Sequence, residues 1–327
     1  MLVDYLPRKF RLVVLRARAP SLVSSGEMPK SKGRLSAAAF LLVGTAAGQR
    51  PDAFESPQMV SIRGYQDDAM EPFLSRDGTI LFFNNLNEGP VNTDIHYAAK
   101  VDALTFEYKG RAGGVNTPAL EGVPTMDRDG NFYFISPRDY DRTRSTIFTG
   151  RFHDGQVTGI RHVAGNLSRN KPLWFNMDVE VSADGRALYA TDNSKPLFGS
   201  GIDASTIFVA VRTEQGSFLR DPKSDEIMKN VNAPNALQYA AGISADELTL
   251  YFTRVEAGKK AIGIYVATRT SKTAPFDVPR RIEAIQGFVE GPTVAPDGCA
   301  IYFHKKVDGR FHIFRAEKSG CQSTGVR

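Results

Sequence analysis

The sequence has few residues of the kinds that most often build metal and nucleophile sites. Its 327 residues include two Cys, five His and one Trp. Neither the Cys nor the His residues follow a spacing that fits a zinc site. A glycine-rich phosphate loop and a G-x-S-x-G nucleophile motif are also missing. We therefore expect no bound metal and no organic cofactor.

An overall excess of basic residues is present, but it is confined to one end of the chain. The formal net charge is +5. Residues 1–50 hold nine Lys or Arg and two acids, which leaves 32 basic and 34 acidic side chains in residues 51–327, a net charge of −2. The body of the chain thus lacks the positive field that binding to a phosphate backbone needs, and we expect no nucleic-acid partner.

The basic end has the layout of a secretory signal peptide over residues 28–50. The cationic segment MPKSKGR precedes about a dozen small or apolar residues, and small residues follow at 46–48. The apolar run is too short to span a bilayer. Residues 1–27 are then an extension, or Met28 is the true start. We expect a periplasmic or secreted protein with one folded domain over 51–327; a disordered basic leader is the alternative.

The two Cys residues gain a role if the chain is exported. An oxidising compartment favours a disulfide between Cys299 and Cys321, which would tie the C-terminal tail to the last repeat. Two unrelated free thiols are the alternative.

Five segments share one pattern, in which an apolar run precedes a polar turn and a second apolar run follows it. In four of the five turns the dipeptide is Asp-Gly, and in the fourth repeat Glu247 stands in place of Gly. Asp-Gly between apolar runs predicts a tight hairpin turn, because Gly accepts a positive φ. The shared Asp occurs at intervals of 51 to 62 residues, at Asp77, Asp129, Asp184, Asp246 and Asp297.

Each repeat predicts a small four-stranded sheet. The runs after the turns are rich in β-branched and aromatic residues, a third short strand follows a polar loop, and a weaker polar strand closes the unit. Four-stranded units repeated every 50–60 residues, with no sustained helical period, predict an all-β fold, a five-bladed β-propeller of antiparallel blades. The last repeat lacks its outer strand. We expect residues 58–65 to supply it and close the ring.

The repeat resembles that of the TolB-like β-propellers, which are related to WD40-like (PD40) repeats. The similarity lies in the pattern P-x-x-S-x-D-G-x-x-L-Y-F and in two V-N segments, at Val115-Asn116 and Val231-Asn232, and it covers about residues 59–318. The resemblance implies a propeller fold. It also implies that an acid before the inner strand is often part of the repeat itself and pairs with its neighbours.

Propeller geometry predicts where a ligand site would lie. The start of each inner strand and the end of the second strand share one face, here called the mouth face, and the Asp-Gly turns lie on the other. On the mouth face we expect ligand-binding residues from these two sets: Glu71, Glu121, Asp178 and Glu290 at the strand starts, and Asn84, Arg138, Asp192, Arg254 and His304 at the strand ends.

Two functions follow from this arrangement. The first is an exported, non-catalytic propeller that binds an envelope protein, a peptide or a polysaccharide at its mouth face. The second is a carbohydrate-active enzyme, a glycoside hydrolase or lyase, that uses paired carboxylates. Its candidate catalytic residues are Glu71, Glu121 and Glu290. Trp174, the only Trp, is a candidate for stacking on a ligand ring or for packing between blades.

Overall fold

The computed structural model describes residues 53–87, 92–195, 202–256 and 262–321. The expected extension and signal peptide, residues 1–50, lie outside these ranges. The described residues form 22 strands and two four-residue helices, α1 (Tyr140–Thr143) and α2 (Ser224–Ile227). No helix in these ranges has the length and apolar character needed to cross a membrane.

In chain order the strands are β1 (Gln58–Met59), β2 (Ser61–Arg63), β3 (Met70–Leu74), β4 (Ile80–Asn84), β5 (Ile95–Lys100), β6 (Thr105–Arg111), β7 (Gly122–Met126), β8 (Asn131–Ile135), β9 (Ile147–His153), β10 (Gln156–His162), β11 (Gly165–Asn166), β12 (Trp174–Val181), β13 (Ala187–Ser194), β14 (Ala204–Arg212), β15 (Phe218–Arg220), β16 (Ala236–Ile243), β17 (Thr249–Glu256), β18 (Ile262–Thr268), β19 (Arg280–Arg281), β20 (Val289–Val294), β21 (Ala300–Val307) and β22 (Arg310–Glu317).

These strands form five sheets arranged as a five-bladed β-propeller, as the repeats predict. Blade 1 is β3-β4-β5-β6 with β2 outermost, blade 2 is β7 to β10, and blade 3 is β12 to β15 with β11 outermost. Blade 4 is β16 to β19, and blade 5 is β20-β21-β22 with β1 outermost. The outermost strand β2 runs parallel to β6, and the outermost strand β11 runs parallel to β15. All other neighbouring strands are antiparallel.

The polar turns after the inner strands are held by their own side chains. In blade 1, Ser75 donates its hydroxyl to Asp77 at 2.5 Å and accepts the backbone N–H groups of Thr79 and Ile80. Blades 3 and 4 repeat this arrangement, and in blade 2 Asp127 takes the place of Ser. The turns therefore have a structural explanation in hydrogen bonds that replace missing ladder partners.

Every inner strand contains a bulge six residues before the shared Asp. The register of the first two strands shifts there in all five blades. At this position four blades place their residue in the left-handed region, with φ values of 48°, 53°, 51° and 66° for Glu71, Val123, Ala240 and Gly291 respectively. A non-Gly residue is strained in this conformation. The bulge brings the following residues to the axis, where a narrow channel is lined from all five blades.

The hydrophobic core is divided among the five junctions between blades. Each junction has its own buried cluster, since neither face of a single blade is covered by that blade alone. Between blades 1 and 2, for example, the ring of Phe82 packs 5.1 Å from Phe132 and 4.8 Å from Phe152, measured between ring centroids. Burial of aromatic rings on this scale is the main favourable term for joining the blades.

Ring closure involves the N-terminal segment at two blades. Residues 53–60 run antiparallel along β22, with hydrogen bonds from Ser319 N to Ala53 O and from Val60 N to Ile313 O. The segment then crosses to blade 1, where β2 pairs with β6. The predicted closing strand is confirmed. The expected stretch 58–65 divides, however, because only its first part completes blade 5 and the rest extends blade 1.

Polar contacts at the junctions differ from one pair of blades to the next. Glu247 has a φ of 62° where the other blades have Gly, and it is 4% exposed. Its carboxylate accepts the hydroxyl of Tyr189 at 2.9 Å from blade 3 and contacts Lys272 at 2.5 Å. On the same side of the ring, Arg76 of blade 1 reaches Glu180 of blade 3 at 2.8 Å and also donates to the Met126 carbonyl of blade 2.

The disulfide expected from the sequence is present between Cys299 and Cys321. It joins the tail that follows β22 to the turn of blade 5. Its removal by the double substitution Cys299→Ser and Cys321→Ser should lower the free energy of unfolding by about 3 kcal/mol, the chain-entropy value for a loop of this length. Urea denaturation of the oxidised chain and of the variant measures the difference. The chain treated with a reductant is the control and should match the variant.

The burial of His96 predicts that the stability of the folded chain depends on pH. It is buried between Phe83 and Tyr108, and burial lowers its pKa from 6.5 to about 4. Its folded pKa is depressed, so its contribution is fully present above pH 6.5 and is lost as the pH falls towards 4. The free energy of unfolding should drop by about 3 kcal/mol over this window. His96→Gln should flatten that part of the stability profile; an unchanged slope would contradict the assignment.

Candidate functional site

The predicted mouth-face residues lie at one end of the strands, but the four acids at the strand starts occupy different positions of the repeat. Counted back from the shared Asp, Glu121 is eight residues away, Glu290 seven, and Glu71 and Asp178 six. Around the bulge, a change of one position alters where a side chain points. The acids are therefore held at different depths and by different partners.

Four of the nine predicted ligand residues converge near the axis. Glu290 and His304 are opposite each other in β20 and β21, and both are fully buried. The Nδ1 atom of His304 accepts the backbone N–H of Glu71 at 3.1 Å, so a neutral ring carries its proton on Nε2, which lies 3.3 Å from Glu290 Oε2. Asp178 lines the same axial cavity as Glu71.

Tyr239 joins this group from blade 4, the blade without an acid at its strand start. Its hydroxyl donates to Glu290 Oε1 at 2.5 Å. Burial, and then the neighbouring charge of Glu290, raises the pKa of Tyr239 well above its ordinary value. The phenol thus remains protonated and acts as a fixed donor. Glu290 is held by two side chains from this cluster, Tyr239 and His304.

The space at the axis is small. A cavity of about 70 Å³ lies beside Glu71, Asn87 and Asp178, and its remaining walls are mostly apolar, including Phe175 and Met177. Below it, the axial channel encloses about 20 Å³. Volumes of this size hold one or a few water molecules. Glu71 and Asp178 border both spaces, and Glu180 borders the channel as well.

Glu121 is enclosed between blades 1 and 2. Its carboxylate accepts the backbone N–H of Thr117 at 2.6 Å and the hydroxyls of Thr117 and Ser136 at 2.8 Å each. Arg138 completes the shell at 3.0 Å. Burial raises the pKa of Glu121, while these donors and Arg138 oppose that shift. All the contacts of the Glu121 carboxylate named here come from residues of the protein itself.

Arg138 and Arg254 hold the two V-N segments that the sequence singles out. Arg138 donates to the carbonyl of Val115 at 2.8 Å, and Arg254 donates to that of Val231 at 2.7 Å. The Asn that follows each Val bonds both the N–H and the C=O of a strand residue, Asn116 with Ile95 in the first case. The V-N segments therefore clip the third strand of one blade to an arginine of the next.

Asn84 likewise links two blades. Its side-chain oxygen accepts the backbone N–H of Val123 at 3.1 Å, and its amide nitrogen donates to Asn85 O and Asn87 Oδ1. Asn84, Glu121, Arg138 and Arg254 thus have structural partners in the folded chain, and a ligand role for each stays a prediction.

Asp192 leads to a second region of the mouth face, which the sequence did not reveal. Its carboxylate is 2% exposed and accepts hydrogen bonds from Arg169 and from Arg220. The two arginines lie in the connection before β12 and in the outer strand β15, outside the repeat pattern. Their proximity to Asp192 depends on the fold of blade 3, so spacing in the sequence carries no signal for it.

A cleft of about 790 Å³ opens next to these arginines on the mouth face of blade 3, and we call it the blade-3 cleft. One wall is the connection 166–171, which crosses over the blade to reach its inner strand. The other wall is formed by residues 220–232, which lead to blade 4. Trp174 lies beneath the first wall and stacks against Arg169, 4.8 Å from ring centroid to guanidinium. Among the described residues, no group of three or more His, Cys, Asp or Glu is arranged to hold a metal ion.

Solved structures with the same architecture are found at low sequence identity. A family 117 glycoside hydrolase from the marine bacterium Zobellia galactanivorans aligns with a TM-score of 0.50 and 9% identity, over 81% of this chain and 91% of that one. The catalytic domain of a GH62 α-L-arabinofuranosidase from Coprinopsis cinerea gives 0.49 and 9%, over 84% and 100%. TolB from Acinetobacter baumannii gives 0.41 and 14%, over 77% and 55%, so this chain spans about half of that protein's length.

No protein-family model matches the sequence, and no curated protein matches it either. At these identities the structural similarity shows the propeller fold alone. The similarity assigns no activity to this chain.

A structural role for Glu121 predicts a loss of stability when its charge is removed. Glu121→Gln replaces an acceptor with a donor facing either Thr117 N or Ser136, and it leaves Arg138 without its carboxylate. We expect the free energy of unfolding to fall by about 2–4 kcal/mol in urea denaturation. Glu107→Gln is the matched control, because Glu107 is exposed and, within the described part of the chain, forms an ion pair with Lys109 alone; its effect should stay below about 0.5 kcal/mol. Equal effects of the two substitutions would contradict this role.

Proposed function

We propose that this propeller is a binding protein whose partner, a protein, a peptide or a polysaccharide, rests on its mouth face. The observation that carries the proposal is the contrast between two parts of that face. At the axis, Glu290 is fully buried against Tyr239 and His304, and the spaces beside Glu71 and Asp178 measure only about 70 and 20 Å³. Over blade 3, the same face has a polar cleft of about 790 Å³. A cleft of that size accommodates a ligand of several rings or residues.

We also propose that the protein works in the periplasm or outside the cell. The disulfide between Cys299 and Cys321 supports this, because such bonds persist mainly in oxidising compartments. The signal-like segment over residues 28–50 supports the same location.

One observation favours the enzymatic alternative. Glu71 and Asp178 border the same axial cavity, from blades 1 and 3. Two carboxylates facing one space are the minimum requirement for glycoside hydrolysis by acid–base or nucleophilic catalysis. A hydrolase would use this pair, whereas a binding protein would use the blade-3 cleft, and the two readings therefore depend on different residues.

Binding and turnover measured on the same samples separate these functions. The probes are arabinan, polygalacturonate and dextran in affinity electrophoresis, with 4-nitrophenyl α-L-arabinofuranoside as the test for hydrolysis. We expect at least one polymer to retard the protein, with no release of nitrophenol. Lys171→Trp, which narrows the blade-3 cleft from its exposed wall, should weaken retardation by about tenfold or more.

Lys109→Trp is the matched control, since Lys109 lies on β6 of blade 1, away from the cleft; it should bind like the unchanged protein. Hydrolysis that disappears in Asp178→Asn would establish the enzymatic alternative. Retardation that Lys171→Trp leaves unchanged would exclude the blade-3 cleft as the binding site.

A further inference from the structure

The blade-3 cleft is built around one buried carboxylate that two arginines share. Asp192 Oδ2 accepts Arg169 Nε at 2.6 Å and Arg220 Nη1 at 2.8 Å, and Oδ1 accepts Arg220 Nη2 at 2.6 Å. Asn176 adds a bond to Oδ1 at 3.1 Å. Asp192, which the sequence predicts as a ligand residue, is 2% exposed and accepts four hydrogen bonds, and it holds the two arginines in place.

Arg169 presents a rigid pair of donors to the cleft. Its Nε atom is fixed by Asp192, and its guanidinium lies against the ring of Trp174. Its terminal nitrogens, Nη1 and Nη2, have no hydrogen-bond partner among the described residues, and the side chain is 40% exposed. A guanidinium with this free fork matches the two oxygens of a carboxylate or a sulfate. Because its conformation is already set, little entropy is lost on binding.

Arg220 is fixed just as firmly. Its guanidinium lies 3.6 Å from the ring centroid of Phe208, and it donates to the carbonyl of Leu167 as well as to Asp192. Both arginines are thus held by an aromatic ring on one side and by Asp192 on the other. This repeated support indicates that the structure maintains two guanidinium groups beside open space.

The charge of the cleft favours an anion. Four cations line it, namely Arg169, Arg220, Lys171 and Lys229, against Asp221 and Asp225. With Asp192, which both arginines share, and Glu226, which pairs with Lys229, counted as well, the sum is zero, so the excess positive charge is local to the two arginines. Two guanidinium groups beside one carboxylate leave one positive charge that a bound anion neutralises.

The other lining groups favour a sugar over a peptide. Asn166, Ser168, Asn170 and Thr206 bring amides and hydroxyls to the walls, beside the apolar side chains of Ile207, Phe208 and Pro222. Amide and hydroxyl groups match the hydroxyls of a sugar ring. The lining of the blade-3 cleft thus combines amide and hydroxyl groups with the fixed guanidinium groups of the two arginines.

We propose that the blade-3 cleft binds the carboxylate or sulfate group of an acidic polysaccharide, with the fork of Arg169 as its main contact and Arg220, whose Nη1 keeps one N–H, beside it. The proposal rests on the mouth-face binding function proposed above and gives it a ligand class. Polygalacturonate and dextran sulfate represent the two sources of the anionic group.

Isothermal titration calorimetry on the full chain tests the proposal, with polygalacturonate, dextran sulfate, neutral dextran and poly-L-glutamate as probes. We expect one or both acidic polysaccharides to bind and neutral dextran not to bind. Arg169→Gln should weaken binding by about tenfold or more, since it removes charged hydrogen bonds. Arg169→Lys retains the charge without the fork and should weaken binding several-fold. Arg142→Gln, an equal loss of charge at an exposed arginine of blade 2, should change affinity less than twofold. Melting temperatures confirm that each variant is folded.

Several results would overturn the proposal. These are equal losses in Arg169→Gln and Arg142→Gln, equal binding of dextran and the acidic polymers, binding of poly-L-glutamate alone, or no binding of any polymer. If Lys171→Trp weakens polymer binding while Arg169→Gln does not, the anionic ligand is excluded and the mouth-face function stands. If neither substitution weakens binding, both proposals fail.

Discussion

The structure depends on a ring closed by one segment that belongs to two blades. Residues 53–60 form the outer edge of blade 5, and β2 then forms the outer edge of blade 1. A blade cannot cover its own faces, so the five buried clusters exist only while neighbours remain in contact around the whole circle. If this segment were absent, β22 would offer unpaired backbone groups and the junction between blades 5 and 1 would lose Val60 from its cluster.

Closure of the ring also determines where open space lies on the mouth face. Near the axis, the five inner strands approach each other closely, and their polar side chains find partners within the protein: Glu290 with Tyr239 and His304, and Glu121 with Ser136 and Arg138. Farther out, the blades diverge, and the connections that cross from one blade to the next leave room between them. The position of open space on this face therefore follows from blade geometry more than from where acidic residues occur.

The sequence predicted the repeat, the number of blades and the strand that closes the ring, because each depends on a local pattern or on chain order, and it left the disulfide as one of two alternatives. It also placed Glu290 and His304 on one face, where they meet. It did not predict that Asp192 would hold Arg169 and Arg220, because the three residues have no common spacing and meet only when the connection before β12 folds over blade 3. Nor did it separate Glu121 from Glu71, since the bulge changes which neighbouring position faces the axis.

The strained Glu247 shows that the blades are not interchangeable. It has a left-handed conformation at a position where its counterparts are Gly, and its carboxylate accepts a hydrogen bond from the hydroxyl of Tyr189 in blade 3. Asn84 of blade 1 is similarly specific to Val123 of the adjacent blade 2, and Arg76 of blade 1 pairs with Glu180 of blade 3 across the ring. Each of these contacts requires a particular residue on one particular other blade. If a blade were deleted, duplicated or moved, residues such as Glu247 would lose their partners on the other blade. The loops of this propeller can therefore vary more easily than the number or the order of its blades.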